Sequence, residues 1–191
     1  MFGMLLMFFM KFATDVLLLA PATIGTLFAL SRIWDAFSDP IAGYWSDRTR
    51  TRWGRRRPWI LASAIPVGLS FYALWSPPQS LSQDGLTWWV AIWMLVFFSA
   101  YTAYAVPYKA LGAELGAGYH ERTRIFSTSA FLAFVGALFA GAAVYLIEHA
   151  ENPRDMAAWL AIIGGGLTVG AMLYTGAALR EHPHNQGRGG A

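Results

Sequence analysis

Three ionisable residues, Arg32, Asp35 and Asp39, lie in an otherwise apolar stretch of this 191-residue chain. Their spacing of i, i+3 and i+7 places all three on one face of a helix. Two carboxylates one turn apart can share a hard cation, which prefers oxygen ligands. Without a cation they repel each other, and one of them holds a proton instead. The triplet therefore predicts a site that binds Na⁺ or H⁺.

The surroundings of the triplet restrict where this helix can lie. A charged side chain at mid-membrane costs at least about 2.5–3.5 kcal/mol, so three on a lipid-facing stripe are implausible. We expect the face to line the interior of a helix bundle or a water-filled cavity. A second interpretation stays open, in which Arg32 neutralises both aspartates in a purely structural cluster.

The composition indicates an integral membrane protein. The chain is 56% hydrophobic and only 13% charged, whereas soluble domains carry about 25% charged residues. The net charge of +3 does not indicate a nucleic-acid partner, because the basic residues cluster in short loops. There are no cysteines, which excludes thiolate catalysis and cysteine-ligated metals. No phosphate loop, zinc spacing or nucleophile–base order is recognisable, so we expect neither an enzyme nor a cofactor beyond the coupling cation.

The apolar runs predict an all-α membrane protein with one partial and five full spans. Residues 1–181 are expected to form one transmembrane half-bundle, and 182–191 a flexible cytoplasmic tail. The first run is short, so we expect a first helix whose beginning is missing. The predicted spans lie at about 1–12 (partial), 22–46, 58–77, 86–108, 124–148 and 156–179.

Lysine and arginine residues predict the orientation of these spans. Six arginines lie in the loop at 47–57, and further basic residues lie at 109–124 and in the tail. The opposite loops hold only Lys11 and Arg154. The positive-inside rule therefore predicts that the arginine loop, the 109–124 segment and the tail are cytoplasmic in a multi-pass protein of the cell membrane.

Small residues recur every fourth position on the last two predicted spans. Ala133, Ala137 and Gly141 form one such series, and Gly166 and Gly170 form another. This spacing lets helix backbones approach closely in lipid. It predicts tight packing within the bundle, with a homodimer interface as the alternative.

Two segments resemble a known family. The first, RIWDAFSDPIAGYWSDRTRTRWGRRRPW at 32–59, looks like the signature of the glycoside–pentoside–hexuronide:cation symporters, the melibiose-carrier group of the major facilitator superfamily. The second, VPYKALGAELGAGYHERTR at 106–124, is similar to the segment that follows the fourth helix in that family. Family members have twelve helices in two halves, so the resemblance implies that this chain is an N-terminal six-helix half with a truncated first helix.

The resemblance implies roles for two sets of residues. Asp35 and Asp39 match the cation-binding aspartates of the family, Thr102 a polar residue near the same site, and Arg32 a charged neighbour. A second set resembles the loop 2–3 motif of the superfamily, understood as a latch that bridges the two halves on the cytoplasmic side. The alternative for this set is an anchor that only fixes topology. Its members are Gly43, Asp47, Arg48, Gly54, Arg55 and Arg56.

The implied function is cation-coupled symport of a small solute, a sugar or a glycoside, by alternating access. Two departures weigh against melibiose-like recognition, because Ala105 and Lys109 stand where melibiose-type members have an acid and an aromatic residue. A different glycoside, a uronate or a non-sugar solute therefore stays open. The alternatives are an uncoupled facilitator, a lipid-moving relative, or a fragment that is inactive without a second six-helix half or a second copy.

Overall fold

The chain folds into α-helices throughout its described length. The computed structural model describes residues 2–115 and 119–179, and this part forms six helices and no strand. The predicted tail at 182–191 lies outside the described residues. The helices are α1 (Phe2–Asp15), α2 (Pro21–Arg48), α3 (Arg57–Trp75), α4 (Gln83–Leu115), α5 (Tyr119–Glu148) and α6 (Pro153–Ala178).

Several helices extend past the predicted span boundaries. The span predicted to end at residue 108 continues as α4 to Leu115, even though Pro107 lies inside the helix. Pro40 and Pro66 likewise lie inside α2 and α3. Proline is tolerated inside membrane helices because neighbouring groups satisfy the carbonyl that it leaves without a partner.

Four of the described helical segments are long and apolar enough to cross a membrane. They are Arg57–Trp75, Gln83–Glu114, Phe126–Glu148 and Pro153–Ala178. α2 has sufficient length at 28 residues but carries the charged triplet inside it. Its assignment as a span stays a prediction, which depends on those charges facing away from lipid.

The core of the bundle lies around α3, which packs extensively against α4 and α6, while α2 packs against α4. An aromatic cluster joins α1 to the end of α3. The ring centroid of Trp75 lies 5.6 Å from that of Phe9 and 4.9 Å from that of Phe12. All three side chains are buried. Of the helices that contact it, α4 is the main neighbour of α2. The residues predicted to bind a cation lie at or beside this contact.

An ion cluster connects α1 to α5 at the end of the bundle opposite the arginine loop. Lys11 Nζ lies 3.1 Å from Asp15 Oδ2 and 3.3 Å from Glu148 Oε1. The hydrogen bond from Lys11 lowers the pKa of Asp15 below its ordinary value. The Lys11–Asp15 pair lies within α1, and the Lys11–Glu148 pair joins α1 to α5.

Close approach of α3 to α6 depends on two glycines that the sequence pattern did not indicate. A Cβ at Gly176 would lie 2.6 Å from Leu61 Cδ2, and one at Gly68 would overlap Val169 Cγ2. By contrast, nothing among the described atoms lies within 4 Å of a Cβ built at Gly166 or Gly170. The packing role predicted for these last two glycines is therefore not seen within the described bundle.

We expect Gly176→Leu to destabilise the bundle because the new side chain would overlap Leu61 at the contact between α3 and α6. Overpacking of this kind costs about 1–3 kcal/mol. The measurement is the free energy of unfolding by SDS titration in mild detergent micelles. Gly170→Leu is the matched control, since it makes the same change on the same helix in open space. Equal losses in the two variants would contradict the packing.

Candidate cation site and arginine latch

The contact between α2 and α4 joins two of the predicted cation-site residues. Thr102 on α4 is buried and donates a hydrogen bond from Oγ1 to Asp39 Oδ1 on α2, over 2.9 Å. A hydroxyl group that donates its hydrogen to a carboxylate keeps its own lone pairs as acceptors. Thr102 Oγ1 and the Asp39 carboxylate therefore form a pair of oxygens that could both ligate one cation.

Asp35 lies one turn nearer the start of α2 and has one paired and one unpaired oxygen. Its Oδ2 lies 3.2 Å from Arg32 Nη1. Its Oδ1 is buried, and no described residue gives it a hydrogen bond. Ser38 Oγ, three residues further along the helix, is also buried and has no hydrogen-bond partner among the described residues. Buried polar atoms without partners are rare and need an explanation, such as a bound ion.

Arg32 is held against α4 by an aromatic ring. Its guanidinium carbon lies 4.5 Å from the ring centroid of Phe98, within the range of a cation–π contact. Phe98 itself is buried. The contact holds the guanidinium beside one oxygen of Asp35, so the other oxygen is available to a second positive charge.

The structure therefore brings the predicted site residues together as two contacts on neighbouring turns. Asp39 contacts Thr102, and Asp35 contacts Arg32. Ser38 was missed by the sequence analysis, although it follows Asp35 at i+3 and so lies on the same helical face. No group of three or more His, Asp or Glu side chains in the described segments could hold a metal ion. A cation here would have two carboxylates and neutral hydroxyls as ligands.

The arginine loop forms a second, separate set of ion pairs. Arg56 donates to Asp47 Oδ1 from Nη2 over 2.8 Å and from Nε over 3.2 Å. Arg56 Nη1 also lies 2.8 Å from Glu114 Oε1, which Arg55 contacts as well. The Arg55 and Arg56 side chains are only 10% and 7% exposed. Glu114 on α4 therefore links α2, the loop and α4 around two buried guanidinium groups.

The glycines and the remaining arginine of the motif have local roles. Gly54 has a φ of 105°, which favours glycine and reverses the loop just before Arg55. A Cβ at Gly43 would lie 3.6 Å from Val106 Cγ1, an ordinary contact between α2 and α4. The Arg48 guanidinium lies 3.8 Å from the ring centroid of Tyr44 and is exposed. Arg48 thus points away from the ion pairs that its neighbours form.

Arg57 makes a further contact that the sequence analysis did not identify. It donates from Nε to the carbonyl of Gly176 over 2.7 Å and from Nη2 to that of Ala177 over 2.8 Å. These carbonyls belong to the last turn of α6, where helical partners are lacking. A cation at a helix C-terminus is also favoured by the helix dipole. The loop therefore fixes the end of α6 as well as α2 and α4.

We expect Glu114→Gln to destabilise the chain, because it removes the negative charge that pairs with the buried guanidinium groups of Arg55 and Arg56. Breaking a buried ion pair costs up to about 3–5 kcal/mol. The free energy of unfolding by SDS titration is the measurement. Glu151→Gln, at an exposed position in the loop before α6, is the control. Equal stabilities of the two variants would show that the ion pairs contribute little.

The chain is similar to a known protein family and to several symporters. The model of the MFS/sugar transport protein family matches residues 1–189. The chain is 35% identical to an uncharacterized symporter of Synechocystis sp. over 94% of this chain and 34% of the relative. It is 37% identical to the putative glycoside/cation symporter YagG of Escherichia coli over 72% of this chain and 30% of the relative.

A relative with a lipid-related name also matches. The sodium-dependent lysophosphatidylcholine symporter 1-A of Danio rerio is 35% identical over 63% of this chain and 23% of the relative. The chain spans about a third of the length of the first of these relatives. The family and these relatives are named for transport and not for enzymatic chemistry. With its helical architecture and apolar spans, this integral membrane protein belongs to the MFS/sugar transport protein family.

Proposed function

We propose that this chain forms one half of a cation-coupled symporter for a small solute, a sugar or a glycoside. The observation that carries the proposal is the Thr102–Asp39 hydrogen bond, next to the unpaired oxygens of Asp35 and Ser38. Asp35, Ser38 and Asp39 lie within two turns of α2, and Thr102 of α4 contacts the last of them. Such a set of oxygens is suited to Na⁺, and either carboxylate is suited to H⁺.

The coupling mechanism follows from the position of these residues between two helices. A bound cation would offset the repulsion between Asp35 and Asp39 and draw the Thr102 and Ser38 oxygens towards one centre. This would stabilise one arrangement of α2 against α4. A cation can shift a conformational equilibrium only by its difference in affinity for the two states. The solute would then bind best in the state that the cation favours, and the halves would rock about a midplane site.

The substrate class is proposed from the family and its relatives. The family description names sugar transport, and one relative is named for glycosides. Another relative is named for lysophosphatidylcholine, so a lipid is the alternative substrate. Lys109 is exposed towards the end of α4 and would suit an anionic solute such as a uronate, although a lysine near a helix end also snorkels to headgroups.

The transport path requires a second six-helix unit, a separate half or a second copy. The chain spans about a third of the Synechocystis relative, and α5 presents a series of exposed large apolar residues. These residues include Phe131, Leu132, Phe134, Leu138 and Phe139. We further propose that the arginine loop and the C-terminal tail are cytoplasmic, as the distribution of basic residues predicts.

We expect Asp35→Asn and Asp39→Asn each to abolish gradient-driven accumulation of solute. The measurement is uptake of a panel of glycosides and uronates into proteoliposomes that hold the chain with its second unit, with Na⁺ and H⁺ gradients imposed separately. Asp84→Asn, in the exposed first turn of α4, is the control and should accumulate solute normally.

Three results of the uptake experiment would contradict the proposal. Full accumulation by either asparagine variant would remove the aspartates from the coupling mechanism. Uptake that ignores both gradients in the unmodified protein would indicate an uncoupled facilitator. Transport of lysophospholipid in place of every sugar would indicate a lipid-moving relative.

We expect Thr102→Val to weaken cation binding while Thr102→Ser preserves it, because only the hydroxyl contacts Asp39. In the valine variant a cation would lose the Thr102 oxygen as a ligand, and we expect its affinity to fall about tenfold, which is about 1.4 kcal/mol. The measurement is the Na⁺ concentration, or the pH, at which the thermal stability of the chain changes half-maximally. Equal values for the valine and serine variants would exclude the hydroxyl as a ligand.

A further inference from the structure

A groove lies on the side of the α2–α4 contact away from the cation site. Its volume is about 660 Å³, within the range of about 300–1,000 Å³ typical of ligand pockets. On α4 the groove is lined by Leu95, Ser99 and Ala103, which follow one helical row. Phe98 and Thr102 of the cation site immediately precede Ser99 and Ala103 in the chain, so their side chains are rotated by about 100° around the axis of α4. The two features are therefore distinct surfaces of the same helix pair.

The groove extends over one leaflet of the membrane. On α3 its lining begins at Pro58, directly after the arginine loop, and ends at Pro66. Eight residues of helix rise about 12 Å, which is close to half of the roughly 30 Å hydrocarbon thickness. With the arginine loop at the membrane surface, as its charges predict, the groove would run from that surface to about the middle of the bilayer.

The interior of the groove offers apolar surface and few free polar groups. Trp34 donates from Nε1 to Ser99 Oγ over 2.8 Å, and Ser99 Oγ donates to the carbonyl of Leu95 over 2.7 Å. Ser63 Oγ donates to the carbonyl of Trp59 over 2.7 Å. The remaining lining residues are apolar. Because its polar groups already have partners, the groove is suited to an aliphatic occupant and not to a polar solute.

Unpaired positive charge lies at the surface end of the groove. Arg48, Arg50 and Arg52 are exposed and form no ion pair within the described segments. Arg55 and Arg56, by contrast, are turned inward to Glu114 and Asp47. Trp59 of the groove donates from Nε1 to Thr49 Oγ1 over 2.8 Å, and Thr49 lies between Arg48 and Arg50 in the chain. Arginines at a membrane surface attract anionic headgroups.

We propose that this groove binds an acyl chain of an anionic phospholipid, whose phosphate contacts Arg50 and Arg52. The combination of an apolar groove one leaflet deep with guanidinium groups at headgroup height matches the two parts of such a lipid. A transmembrane helix of a partner is a poorer fit, because it is about 10 Å wide and would bring no phosphate to the arginines. The bound lipid would brace α2 against α3 and α4 beside Trp34, the residue that precedes Asp35.

This inference goes beyond the proposed function and is tested without transport. The chain is purified into detergent and titrated with phosphatidylglycerol or phosphatidylcholine of identical acyl chains, and bound lipid is counted by native mass spectrometry. We expect phosphatidylglycerol to bind more tightly. Arg50→Gln with Arg52→Gln should lower that affinity by about 25-fold, from roughly fivefold for each arginine. Arg154→Gln, in the first turn of α6 and on the predicted opposite side of the membrane, is the charge control and should change little.

A second variant tests the groove itself. Ala103→Phe, which places a ring in the groove, should abolish the preference for phosphatidylglycerol, while Ala133→Phe on the exposed face of α5 should leave it intact. Circular dichroism verifies that both variants are folded. If Ala103→Phe does not fold, the arginine double variant decides alone.

Four results would overturn the proposal. One is equal binding of the two lipids by the unmodified chain. Another is a phosphatidylglycerol preference that survives the arginine double variant. A third is binding of inorganic phosphate as tight as that of phosphatidylglycerol, which would indicate a phosphate site without an acyl chain. The last is a dimer that Ala103→Phe dissociates, which would show that a second copy occupies the groove.

Discussion

An ionised carboxylate at membrane depth must have a partner, and this constraint accounts for the way α2 is held in the bundle. Asp35 and Asp39 would each cost several kcal/mol if they faced lipid. The structure gives Asp39 the hydroxyl of Thr102 and gives one oxygen of Asp35 the guanidinium of Arg32. α4 supplies two of the supporting contacts, Thr102 to Asp39 and Phe98 to Arg32. One oxygen of Asp35 remains for a further positive charge, so the helix pair is stable and yet incompletely neutralised.

The arginine loop also contains ion pairs between buried guanidinium groups and carboxylates, and these pairs join several helices. Asp47 and Glu114 neutralise Arg55 and Arg56, and Arg57 satisfies the last carbonyls of α6. These contacts join α2, α3, α4 and α6 at one end of the bundle. Arg48, Arg50 and Arg52 instead stay exposed. The interpretation of this loop as a latch between two halves stays a prediction, because the ion pairs of Arg55 and Arg56 described here lie within this chain.

Local spacing was sufficient to predict some features but not others. The i, i+3 relation placed Arg32 and Asp35 on one helical face, where the structure shows their ion pair, because a helix fixes the separation of such residues. Thr102 could be assigned only by resemblance, since no sequence rule relates it to Asp39 across two helices. The glycine series at Gly166 and Gly170 predicted close packing, yet the close contacts lie at Gly68 and Gly176. Whether a glycine forms a contact depends on what the neighbouring helix presents, here Leu61 and Val169, and a single helix does not contain that information.

Infrared difference spectroscopy of the purified chain tests the central claim most directly. The spectrum in Na⁺ minus that in choline, and the spectrum at acidic minus neutral pH, report changes at individual carboxyl groups. If Asp35 and Asp39 hold the coupling cation, one of these spectra should contain a carboxylate band that disappears when both residues are replaced by asparagine. The same band in the double variant, or no ion-dependent band in the unmodified chain, would contradict the claim that these two residues hold the coupling cation.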